Sequence, residues 1–557
     1  MKIARRRRRQ DRLSKLSDAT LGRILSFLPS KEAARAALLS SRWRDAFAGV
    51  DAVSLEEPES LLPDYEDHGG CGCMDCTYGR PVDPNPKPPF TTAVTAALLA
   101  RHRVPHAPAP PLRALRVALN GYHRERASTV DHWLSYALKQ AAPAPHRLEL
   151  DLRLSREPIC NRPYSLRAAA SSLKDARRAR RKRRRTPDSD ADEASRRSTR
   201  KRRVPVSDDD SEPDYHGYTV PRMLFSSVAL RSLSIGPCRL SVPAAVSMPS
   251  LQTLLLTRVS DRERHVQRLI DACPRLADLT LEACATVTTL CLLGNRRLRK
   301  LAIRCCHNLA VVAVNGKLDS LEYRGAVPDA SLLSLRRADR SSFTSCSIDI
   351  CGEEVSSAEE LAKLGEFLQR VASINHLHLR SARLGSGIQL GAMAKLPAFT
   401  NLVHLELTGR LAHEDSDAAI PALSRILRHA PSLEVLSLAF DTGPGDEELR
   451  ATRESWEDCK VGELTNAHQL RYNEDELLLP TPTVTIRCLT KRVREINLVH
   501  YQGGRAQRTL VKFLLRDAPV LAKLYCGFAP GPLSIQTKLR YEIQGWAMNR
   551  PKNCIFD

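Results

Sequence analysis

One short stretch of the chain crowds His68, Cys71, Cys73 and Cys76 together. Thiolate and imidazole are the ligand types that zinc takes, usually as two closely spaced pairs that complete a tetrahedron. Here the spacing is not a paired C-x-x-C, and no second half follows at the usual distance. The stretch therefore reads as ordinary reduced thiols, and no metal is assigned. Catalytic groups give no sharper signal. The 16 histidines and 63 acidic residues would furnish an imagined triad almost anywhere, yet no G-x-x-x-x-G-K-[ST], H-E-x-x-H or G-x-S-x-G motif stands in a supporting context. The expectation is a non-catalytic chain without a cofactor.

The remaining chemistry is positive charge. The net charge is +22 over 557 residues, but Lys2 and the arginines at 5–9 supply six of it. Residues 173–203 add fifteen cations against five acids, leaving about +6 for everything else. One tract holds Arg181, Lys182, Arg183, Arg184 and Arg185, the other Arg200, Lys201, Arg202 and Arg203. Together they have the form of a two-part nuclear import signal, which is preferred over phosphate-backbone binding to nucleic acid and over a merely solvated segment. The interleaved Ser and Asp residues invite phosphorylation, which would offset the local charge. The expected location is nucleus, cytoplasm or both. The start MKIARRRRRQ lacks the apolar core of a secretory signal, and 16 cysteines without one point to a reducing compartment. No membrane partner is expected, because residues 93–100, the most apolar stretch, fall far short of the roughly 18 needed to span a bilayer.

Three helices can be read between residues 18 and 50. Asp18 is a plausible N-cap, and Leu21, Ile24, Leu25 and Leu28 fall at i, i+3, i+4 and i+7, on one helical face. Pro29 ends that helix. Ser30 can cap a second, alanine-rich helix running to about Leu39, and Trp43, Ala46, Phe47 and Val50 repeat the spacing in a third. Some 40 residues give too little core for independence, so a stabilising partner is expected. Residues 53–110, rich in Pro, Gly and acids, read as a linker or exposed loop.

Beyond residue 110 the pattern L-x-x-L-x-L recurs eleven times, from Leu112/Leu115/Val117 to Leu521/Leu524/Cys526. The five units from Leu230 to Leu318 begin 21, 25, 22 and 20 residues apart, close to leucine-rich-repeat periods. Pro249, Pro274, Pro431 and Pro519 each precede a triplet at a fixed offset, with helical patterns upstream of most of them. A helix, a proline stop and a short buried strand thus recur as one unit, which stacks into a curved solenoid with strands inside. The α/β array starts at 111–157, is interrupted at 158–222 and resumes over 223–557. The interruption has almost no large apolar residue between Leu173 and Tyr215 and reads as a disordered basic and acidic insertion. The number of true repeats within 325–372 and 440–490 stays open.

The stretch DRLSKLSDATLGRILSFLPSKEAARAALLSSRWRDAF resembles the F-box of the plant F-box/leucine-rich-repeat family, in order and spacing. The resemblance implies a basic tail at 1–10, an F-box at 11–52 and a role as substrate adaptor in a ubiquitin ligase. The F-box would dock on a Skp-type adaptor, and through it a cullin scaffold, while the repeats recruit a protein substrate. It places Leu13, Leu16, Ile24, Leu25, Leu28, Pro29 and Trp43 in or beside the adaptor interface. The family's Leu-Pro-Asp is here Leu16-Ser17-Asp18, so the preset angle of proline is lost and weaker docking is expected. Residues 493–551 resemble the same family's C-terminal, FBD-like region. The rival reading is a basic nuclear nucleic-acid-binding or scaffold protein whose F-box serves only its own turnover.

Overall fold

A computed structural model of the chain describes residues 15–58, 89–102, 109–141, 148–162, 164, 217–314, 318–335, 344–385, 396–411, 417–441, 470–481, 483, 485–547, 551 and 553–557. Its N-terminal unit is three short helices, α1 (Asp18–Leu25), α2 (Ser30–Ala37) and α3 (Ser41–Ala48). Leu21, Leu25, Ala33, Ala37, Ala46, Phe47 and Val50 close a small core between them. Ser17, not Asp18, caps α1. Its hydroxyl accepts from the Thr20 N–H at 3.3 Å. Its φ of −68° lies within the proline range, so the serine reproduces the turn that proline would preset. Pro29 is the N-cap of α2, and the Ser30 hydroxyl instead accepts from the Ser54 N–H at 2.8 Å.

Among the described residues the main sheet has 15 strands, every neighbouring pair parallel, starting at strand Ala52–Glu56 and ending at Asn553–Phe556. The last two residues of all eleven L-x-x-L-x-L triplets fall on its strands, the leading residue standing just ahead of the strand in all but Leu230–Gly236. Leu254 stands beside Leu279, Leu279 beside Leu301 and Leu301 beside Leu321, and the next alternate position continues as Leu256, Leu281, Ile303 and Tyr323. Because side chains alternate across a strand, these two positions stack inward as continuous apolar rows, and the intervening residues line the open face.

The length of each repeat decides what covers the other side. The 25-residue unit from Leu251 to Leu276 has room for helix Glu263–Asp271. The 22- and 20-residue units that follow use short strands Thr289–Leu292 and Val311–Val314, which pair with each other, the second also with Leu333–Leu335, in a second parallel sheet. Longer late repeats carry helices Ala358–Arg370, Ala419–Arg428 and Arg505–Arg516, the latter two each followed by the expected proline at 431 or 519 before the next strand.

One expectation is corrected and one open question answered. Residues 53–110 are not simply a linker, since Ala52–Glu56 pairs with Ala114–Ala118 as the first strand of the sheet and Phe90–Ala100 is a helix packed on it. Segment 325–372 contains a regular strand, Ser345–Ile350, whose inward residues are Cys346, Ile348 and Ile350. Most of the proposed insertion, residues 165–216, lies outside the described residues. No helix among the described residues is long and apolar enough to cross a membrane.

One repeat-to-repeat contact makes a pH test. Glu263 accepts from the backbone N–H groups of Thr288 and Thr289 at 3.0 and 2.9 Å and from both hydroxyls. The hydroxyl bonds, followed by the backbone bonds, hold its carboxyl down to about 2. A depressed folded value contributes stability that is complete above the ordinary carboxylate value and fades as pH falls toward 2. Thermal melts between pH 5 and pH 2.5 should therefore lose less in Glu263→Gln than in the native chain. The difference should be small because the group faces solvent.

Candidate functional site

The first candidate surface is on the three-helix unit. Leu25 is 1% exposed and belongs to the unit's own core. It therefore cannot itself meet a partner, and its assignment to the interface is corrected to a supporting position. Ile24 and Leu28, in contrast, are 37% and 41% exposed, Pro29 is exposed, and Leu16 and Trp43 are half-buried against the core. Leu13 lies outside the described residues. The sequence reading missed Phe27, Leu38 and Leu39, which are 75%, 82% and 76% exposed at the C-terminal ends of α1 and α2. Their signal was present as apolar residues beyond what a core of this size can absorb, off the Leu21/Leu25 row. Large uncovered apolar side chains in so small a unit mark a contact surface.

This unit is attached to the solenoid without a spacer. Helix α3 ends at Ala48, and the first strand starts at Ala52. The Asp51 N–H donates to the Ser26 hydroxyl at 3.0 Å, and Ala100 from helix Phe90–Ala100 packs on the small core.

The second candidate is the open face of the sheet, a ladder of paired polar side chains. Arg304 bridges Glu282 at 2.6 Å and Glu322 at 2.7 Å. The bonds to Glu322 lead in holding its guanidinium charged, burial opposing. Farther along, the Tyr164 hydroxyl donates to Asp349 at 2.7 Å, and Arg380 lies 4.8 Å over its ring. Burial, then that bond, pushes the phenol up. His378 contacts the Ser347 hydroxyl through Nδ1 and the Thr408 hydroxyl through Nε2, each at 3.1 Å. Glu406 is 3.8 Å from Nε2, beyond hydrogen-bond reach. These groups form a cross-strand ladder and not a charge-assisted triad. His404, 5.6 Å from His376 between ring centroids, is pushed down by burial and then by that neighbour.

Of the remaining sequence candidates, His68, Cys71, Cys73 and Cys76 and the nine basic residues of the import tracts lie outside the described residues. A different set of metal-binding atoms does come together. The ligand atoms of Cys160, Cys305, His307 and Cys351 all lie within 4.8 Å of one another. Nothing in the sequence pointed to it, because Cys160 and Cys305 are 145 positions apart.

Residues 13–51 match the F-box domain family, and residues 208–326 match the family described as FBD-associated F-box protein At5g56370, LRR repeats. Among Arabidopsis thaliana proteins, F-box protein At4g27050 is 31% identical over 144 residues, 26% of this chain and 28% of that protein. F-box/LRR-repeat protein At4g14096 is 42% identical over 66 residues, 12% of this chain and 14% of that protein. A longer match, F-box/LRR-repeat protein At2g42730, is 23% identical over 312 residues, covering 54% of this chain and 62% of that protein. The first of these alignments thus span less than a third of the relatives' length.

Proposed function

Because the chain carries an F-box domain at 13–51 and a leucine-rich-repeat segment at 208–326 similar to those of plant F-box/leucine-rich-repeat proteins, we propose that it serves as the substrate-recruiting subunit of a Skp/cullin/F-box ubiquitin ligase. Its F-box docks on a Skp-type adaptor, and through it a cullin, and the open face of its repeats receives a protein substrate. The observation that carries the reading is the set Ile24, Phe27, Leu28, Leu38 and Leu39, exposed on a three-helix unit whose own core is already closed without them. A parallel ladder ending in polar, partly paired side chains supports the second half of the reading, since such a face offers hydrogen bonds and charge along its whole length. Ubiquitin transfer itself belongs to the recruited conjugating enzyme.

The test is co-purification of the full chain. Skp-type adaptor and cullin are expected to come down with it, and nucleic acid is expected to wash off at moderate salt. Retained nucleic acid without adaptor would favour the scaffold reading instead. Proximity labelling with the proteasome blocked, with and without residues 11–52, would identify substrates as proteins enriched only under the block.

Location is a separate part of the proposal. We place the chain in the nucleus through the two basic tracts, so replacing residues 181–185 and 200–203 with alanine should move a tagged chain to the cytoplasm. An unchanged distribution, with the arginines at 5–9 also replaced, would remove the import signal.

A further inference from the structure

We infer that Cys160, Cys305, His307 and Cys351 form a structural zinc site. The Cys160 sulfur is 3.6 Å from the Cys351 sulfur and 3.8 Å from His307 Nε2. A tetrahedral zinc with Zn–S near 2.3 Å and Zn–N near 2.05 Å sets its sulfurs roughly 3.8 Å apart and a sulfur and nitrogen roughly 3.5 Å apart. The observed separations are therefore those of adjacent corners of one coordination tetrahedron, and the three thiols are free. Three thiolates and one imidazole are a borderline-soft set that suits zinc and excludes calcium and magnesium, which take oxygen ligands. Binding releases one proton from each thiol to solvent.

The fold explains why the four meet. Each ligand loop leaves the C-terminal end of a parallel strand. Cys305 and His307 follow strand Lys300–Arg304, and Cys351 follows Ser345–Ile350. Cys305 occupies a left-handed turn position, φ 56°, that recurs at Arg258 and Ala283, so the repeat architecture itself sets this turn. Cys160 arrives differently. After strand Leu148–Arg153 the chain does not turn back directly toward the next main-sheet strand, Leu230–Gly236, but runs along the strand ends as a strap. Arg258 holds the strap through Glu157 and the Pro158 carbonyl, and Tyr164 reaches Asp349.

Beyond these contacts the described strap is tied at Arg156, whose guanidinium pairs with Glu56 at 3.5 Å and whose N–H donates to the Asn120 carbonyl at 3.2 Å. Arg156, Glu157, Pro158, Asn161 and Arg162 are exposed, and Ile159 and Cys160 are only half-buried. Fixing each backbone residue costs on the order of 1–2 kcal/mol of entropy, and residues 156–162, which hold no fully buried side chain, recover little of that by apolar contact. A metal bond at the strap's midpoint can offset it. The site would anchor the strap beside Asp349, where Tyr164 reaches it.

The experiment is metal analysis of the full chain purified in phosphine reductant without chelator. About one zinc per chain is expected, with X-ray absorption showing three sulfur neighbours near 2.3 Å and one nitrogen near 2.0–2.1 Å. Cys160→Ser sits on the half-buried strap and leaves the inward rows of the sheet untouched. It should lower zinc content at least about tenfold with the fold retained, whereas Cys71→Ser/Cys73→Ser/Cys76→Ser should keep it. Chelator should open tryptic cleavage after Arg156, and zinc should close it again. The inference is overturned by native chain without metal above background, by zinc that leaves with the Cys71/Cys73/Cys76 variant, by iron in place of zinc, or by a Cys160–Cys351 disulfide in non-reducing peptide maps.

Discussion

The double variant Phe27→Asp/Leu28→Asp should lose binding to a Skp-type adaptor by orders of magnitude while the chain stays folded. Both side chains are exposed in the free protein, at 75% and 41%, so a carboxylate at either position remains in water and stability should change by no more than about 0.5 kcal/mol. In the complex each would give up about 1.5–3 kcal/mol of apolar burial and place a charge in a drying interface. Leu25→Asp is the informative contrast. That side chain lies within the core formed with Leu21, Ala33 and Phe47, so the change should abolish docking by unfolding the three helices. Adaptor affinity by calorimetry, read beside helical content by circular dichroism, separates the two. Normal affinity in the double variant would place the docking surface elsewhere on the unit.

That contrast shows what helical periodicity can and cannot deliver. Leu21, Ile24, Leu25 and Leu28 share a stripe wide enough to have two destinations. Leu21 and Leu25 turn to α2 and α3, while Ile24 and Leu28 turn outward. Spacing alone cannot divide such a stripe, because the division depends on where the neighbouring helices lie.

In the solenoid the sequence was more telling. A register that stacks identical positions forces Leu, Ile or Val to recur at fixed offsets, and eleven of the fifteen strands announced themselves in that way. The other four broke the pattern locally. Leu148–Arg153 alternates without the leading leucine, Ser345–Ile350 and Asn553–Phe556 put Cys346 and Cys554 where leucine is usual, and Ala52–Glu56 was hidden by the Pro- and Gly-rich composition that follows it. The thiol and imidazole cluster was beyond reach, since only the course of the strap joins residue 160 to residues 305 and 351.

Arg101→Met should uncouple the docking unit from the repeats while leaving each binding surface in place. Arg101 is 1% exposed at the C-terminal end of helix Phe90–Ala100, where a cation also suits the helix dipole. Its Nε donates to the Val50 carbonyl, the last core residue of the F-box, at 2.9 Å. One Nη donates to the Tyr136 hydroxyl at 2.9 Å and the other to the Pro110 carbonyl, just ahead of the second strand. Burial pushes the guanidinium down, opposed by Tyr136 and Asp51. One side chain therefore joins the F-box, its following helix and the first repeats. Methionine keeps most of the apolar stem but leaves three acceptors without this donor. At about 1–3 kcal/mol for each buried group left unmade, the loss should reach about 3 kcal/mol or more. Hydrogen exchange should rise first in strand Ala52–Glu56. Adaptor affinity and substrate affinity should each stay within about threefold, because neither Phe27 and Leu28 nor the Arg304 ladder touches Arg101. Ubiquitin transfer to bound substrate in a reconstituted ligase should fall much further, because the distance between adaptor and substrate is no longer fixed. Transfer that falls only in proportion to the unfolded fraction would mean that this junction carries stability alone.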